Sequence, residues 1–155
     1  MLRPILVATG IAGTLDIIAA CIFAGIKGVG PMGVLQFVAS GPFGDAAGRN
    51  PTFAPVGLGV HYAIMACMVA TYMFAATRIP LLTRQPIAMG AVYGIGLWMV
   101  MNLVVLPLRW PDRYPPTTAY GIITQLFCHT VLVGIPIALI VARHLRTPQA
   151  TLSAA

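Results

Sequence analysis

Few residues in this sequence could do chemistry in an apolar setting: Asp16, His61, Asn102, Gln125 and His129, each interrupting a long hydrophobic run. An ionisable group in a bilayer interior costs at least ~2.5–3.5 kcal/mol on insertion scales, so each needs a polar partner, a water-filled recess or a task. Three readings fit. The groups can hydrogen-bond across helices and fix the register of a greasy bundle, as in a structural or accessory membrane subunit. Such contacts average only ~0.6 kcal/mol in one membrane system, so they specify more than they stabilise. Alternatively, a carboxyl and an imidazole can exchange a proton, the core of a proton-linked path for a small solute. Finally, His61 and His129 can ligate haem iron or another metal across the bundle, although no cofactor is required by the sequence. The structural reading explains the residues with the fewest assumptions. Soluble-enzyme signatures are missing: there is no Walker loop, CxxC or HExxH, and neither Ser40 nor Ser153 stands in a GxSxG setting. One intramembrane Asp and no Glu give no paired-carboxylate site, so an enzyme is not expected.

The elements that must position these residues follow from composition. The 155 residues are 59% hydrophobic and 8% charged, against about 25% charged in a soluble domain. Four apolar stretches, about residues 5–26, 53–76, 86–106 and 117–142, each approach the ~20 residues needed to cross ~30 Å of hydrocarbon. Backbone groups in lipid must be satisfied within their own segment, so each stretch is read as a helix. The expected fold is an all-α polytopic membrane protein, one transmembrane domain over 1–155, arranged as an up-down four-helix bundle. The connections Thr77 to Gln85 and Pro107 to Pro116 are short enough to make successive helices antiparallel neighbours. The first connection, Lys27 to Thr52, is longer and rich in Gly and Pro. Its segment Met32 to Ala39 is apolar but too short to span, and predicts a re-entrant or interfacial helix over one mouth of the bundle.

Periodicity then brings the polar groups together. Asp16 shares a helix face with Thr9, Ala12, Gly13 and Ala20, small residues that allow close approach of a neighbour. In an up-down bundle the second and fourth helices are parallel, and the depths of His61 and His129 differ by only ~6 Å at 1.5 Å per residue. Asn102 approaches the same half from the opposite direction, and Gln125 lies one turn before His129. All five are expected to form one cluster nearer the glycine-rich connection. Gly90 and Gly94 form a GxxxG, read as packing within the chain ahead of a dimer interface, and Pro136 predicts a kink.

The formal charge of +6 is carried by single cations at the ends of apolar runs, with no basic face. They read as membrane anchors, and nucleic-acid binding is not expected. With the N-terminus inside, Arg3, Arg78, Arg84, Arg143 and Arg146 are cytoplasmic against Lys27, Arg49, Arg109 and Arg113 outside. Five against four places both termini in the cytoplasm. Cys21, Cys67 and Cys128 lie in apolar runs and give no disulfide framework. Ile18-Ala19-Ala20-Cys21 resembles a lipoprotein cleavage site, but Asp16 and the apolar run continuing through Ile26 argue for a retained span. Expected partners are the lipid bilayer and a homo-oligomer or larger membrane complex.

Ala39-Ser40-Gly41 with Gly44 and Ala47, the run Leu58 to Ile64, and Tyr72 resemble the first half of a family of small bacterial inner-membrane proteins, the YagU-like proteins. Tyr93-Gly94, the run Asn102 to Leu108, and His129 followed by Gly134, Pro136 and Ala138 resemble its second half. The resemblance spans most of the chain. It implies a four-helix inner-membrane protein, supplies no mechanism, and singles out His61, Asn102 and His129 for testing.

Overall fold

The computed structural model describes residues 2–146, which form seven helices and no strand. Four are long and apolar enough to cross a membrane: α1 (Leu2–Gly25), α4 (Ala54–Arg78, entered through a 3-10 turn at Pro51–Phe53), α6 (Pro86–Arg109) and α7 (Ala119–Arg146). The expected four spans are therefore present, with ends shifted by up to four residues. Proline sets several starts: it occupies the first turn of α4 and α6, where a missing N–H costs nothing. Thr118 caps α7 by accepting from the Gly121 N–H at 3.1 Å.

Three short helices join the spans. The first connection folds as α2 (Pro31–Phe43) and α3 (Asp45–Arg49), separated by Gly44 at φ +80°. Helix α2 runs four residues beyond the predicted segment, because Pro42 falls in its last turn and does not break it. The second connection, expected as a plain link, contains α5 (Pro80–Arg84). Its Leu82 packs against the core.

That core lies between α1, α4 and α7 toward the N-terminal end of α1, built from Ala8, Met65, Val69, Tyr72, Ile137 and Val141 among others. Helices α6 and α7 approach closely through glycine. A Cβ on Gly90 would lie 2.8 Å from the Gly134 carbonyl oxygen, and one on Gly94 would lie 2.5 Å from the Thr130 Cα. The GxxxG thus serves a helix contact inside the chain. At the opposite end α2 seats on α4, where a Cβ on Gly57 would overlap the Leu35 carbonyl. Phe37 of α2 stacks on Trp110 at 4.4 Å between centroids, and Phe43 meets Phe53 at 5.9 Å. Arg109 fastens this cap by donating from Nε to the Ser40 carbonyl at 3.2 Å and from Nη2 to Asp45 at 2.6 Å.

Two spans change pitch. Helix α6 widens to a π-helix at Met101–Val105 and α7 at Cys128–Gly134, each ending two residues before a proline, Pro107 and Pro136. Neither proline can donate to the carbonyl four residues back. The wider turn supplies other pairings, including Leu106 N–H to Met101 O and Ile135 N–H to Thr130 O.

Candidate intramembrane polar site

The two π-helical segments carry Asn102 and His129, two of the five residues read as a cluster. A widened turn adds a residue to the helix and redirects the side chains around it, and such turns recur at functional sites. Helix α1 packs against both α4 and the π segment of α7, and so lies beside both histidines.

His61 is buried, and its Nε2 lies 2.8 Å from the Gly13 carbonyl of α1. A carbonyl only accepts, so Nε2 is the donor. The neighbouring Tyr62 hydroxyl shares a 2.8 Å hydrogen bond with Thr14, and a Cβ on Gly13 would come 2.8 Å from the Tyr62 ring. The small face of α1 therefore admits two aromatic rings from α4. His129 is arranged in the opposite sense: its Nδ1 donates to the Gln125 carbonyl at 2.8 Å, leaving Nε2 open.

Asp16, one turn beyond Gly13, is half-buried and lies within electrostatic range of both imidazoles and of the Cys128 thiol. Among the described residues its carboxyl has no hydrogen-bond partner and no cation within 4.0 Å. The carboxyl thus lies near two imidazoles without touching either, more than 4.0 Å from their nitrogens, so a proton passing between them would need an intervening water or a side-chain movement.

The other two residues sit differently. Asn102 is fully buried, but its Nδ2 donates to the Trp98 carbonyl one turn earlier at 3.1 Å, and its Oδ1 has no partner. Gln125 offers His129 its main-chain carbonyl, not its side-chain amide. Asp16, His61 and His129 thus share one region, while Asn102 and Gln125 make no side-chain hydrogen bond to them. Sequence reasoning passed over Trp98 and Thr130, whose Nε1 and Oγ1 are also buried and unpartnered. Their signal was helical spacing: Trp98 lies four residues from both Gly94 and Asn102, and Thr130 packs on Gly94.

A haem held by both histidines asks the two rings to face one iron. Here His61 turns its Nε2–H to α1, and no group of three or more His, Cys, Asp or Glu side chains converges with metal-binding geometry among the described residues. No protein-family model, curated protein or solved structure matches the chain.

Proposed function

We propose that the chain is a multi-pass protein of the bacterial inner membrane, of the YagU-like kind, with both termini toward the cytoplasm. In this reading Asp16, His61 and His129 take up and release a proton as a small solute passes beneath α2. The observation that supports it is the unpartnered Asp16 carboxyl. A residue retained to bolt helices together would be expected to hydrogen-bond a histidine, Asn102 or Gln125, and the Asp16 carboxyl bonds none of them among the described residues. A proton carrier needs the reverse, a carboxyl free to change state beside groups that accept what it releases.

The test is proton movement in vesicles containing the purified chain and a trapped pH-sensitive dye, driven by a gradient of each candidate solute. Asp16→Asn should reduce it to the level of empty vesicles while leaving the thermal unfolding midpoint near that of the wild type. A midpoint that drops sharply with no flux in either protein would favour the second reading, an accessory subunit. The bonds His61 to Gly13 and Tyr62 to Thr14 favour that reading, since they already tie α1 to α4. A Soret band in purified protein, lost in His129→Ala, would instead point to haem.

A further inference from the structure

Five arginines, Arg3, Arg78, Arg84, Arg143 and Arg146, lie on the four elements that end opposite α2. Each stands within two residues of a member of one apolar cluster, namely Ile5, Ala76, Leu82, Val141 or Leu145. Packing of that cluster therefore gathers the arginines into a rim. Arg146 donates to the Thr83 carbonyl, joining α7 to α5. The Arg78 guanidinium lies 5.1 Å from the centre of the Phe74 ring.

No Asp or Glu side chain lies at the end that carries Arg3, Arg78, Arg84 and Arg146. The chain has three acidic residues, of which Asp16 lies mid-span, Asp45 pairs with Arg109 at the α2 end, and Asp112 follows α6 at that same end. Nor is the rim only polar. Beside the arginines along the chain, Leu2, Phe74, Ile79, Leu81 and Ile87 are 70%, 63%, 49%, 46% and 63% exposed. Guanidinium groups match phosphate oxygens in paired hydrogen bonds. A free phosphate would use the cations alone, whereas a phospholipid would use the cations and the exposed apolar side chains among them.

We propose that the arginine rim binds the headgroups of anionic phospholipids, with their acyl chains against the exposed apolar side chains next to it. This is independent of the role of Asp16. Native mass spectrometry of the full chain, released from micelles containing equal amounts of phosphatidylglycerol and phosphatidylcholine, tests it. The wild type should retain the anionic lipid about tenfold or more over the zwitterionic one, with the preference falling as salt rises. Replacing Arg78, Arg84 and Arg146 together by Gln should abolish the preference, and replacing them by Lys, which keeps charge and anchoring, should retain most of it. Arg49→Gln with Arg113→Gln at the other end should leave it unchanged. Equal retention of the two lipids by the wild type, or a preference that survives the triple Gln change in a protein with wild-type unfolding, would overturn the proposal. Complete displacement of the lipid by millimolar inorganic phosphate would also overturn it, in favour of a site for the free anion.

Discussion

Tyr93 and Asp16 are both polar side chains set into apolar helices, yet their surroundings differ. Toward the arginine end, the Tyr93 hydroxyl donates to the Met68 carbonyl at 2.7 Å, the Tyr72 hydroxyl donates to the Leu82 carbonyl at 3.0 Å, and the rings meet edge to face at 5.0 Å. Only the Thr9 hydroxyl is buried without a partner in that region. Toward α2, Trp98 Nε1, Asn102 Oδ1 and Thr130 Oγ1 are buried without one, and the half-buried Asp16 carboxyl makes no hydrogen bond among the described residues. A buried polar atom left unpaired costs about 1–3 kcal/mol, and the α2 half carries three such atoms where the arginine half carries one. The π-helical turns fall in the second region.

The comparison can be broken in several ways. The largest effect is expected for Asp16→Asn: loss of solute-driven proton movement by tenfold or more, read by the vesicle dye, with stability little changed. A large loss of stability would place Asp16 with the tyrosines. Next comes Gly94→Ala, whose new methyl would overlap the His129 carbonyl and crowd the Thr130 Cα. Overpacking of this kind costs about 1–3 kcal/mol, to be read as a lowered unfolding midpoint in detergent. Tyr93→Phe removes one satisfied hydrogen bond and should cost about 1 kcal/mol, with no change in flux.

The smallest effect concerns pH at the cap. The hydrogen bond and charge of Arg109 hold the Asp45 carboxyl below the usual carboxylate range. A folded value lower than the unfolded one means that the pair's contribution is complete above the unfolded value, 3.8. It is lost as pH falls through the depressed folded value. Amide exchange in residues 31–49, corrected for intrinsic rate, should therefore hold steady from neutral pH down to about that unfolded value. Below it exchange should rise, and Asp45→Asn should reproduce the rise at neutral pH.

The spans were legible because lipid imposes a length and an apolar composition that ordinary folding does not. Helix α2 was legible in its centre, from the apolar run Met32 to Ala39, but not in its last turn, which passes through Gly41 and Pro42 where the apolar run has ended. Helix α5 was missed because five residues carry too little periodicity, although Leu81 and Leu82 after Pro80 were its signal. At the site, the depth argument concerned Asp16 and both histidines, and each histidine lies within electrostatic range of Asp16. Hydrogen-bond partners were not legible: His129 and Asn102 each turn back to a carbonyl four residues earlier, a choice made by rotamer and local pitch. Pro136 was read as a kink and Pro107 as the start of a loop, when each follows a change of helical pitch.

Gly57 ties these regions together. Its hydrogen atom occupies the space where any other residue would press a methyl group into the Leu35 carbonyl, and His61 stands one turn further along the same helix. Helix α2 therefore bears directly on the backbone of α4, one turn or about 6 Å along the axis from His61, with no side chain of α4 between the two main chains at that contact.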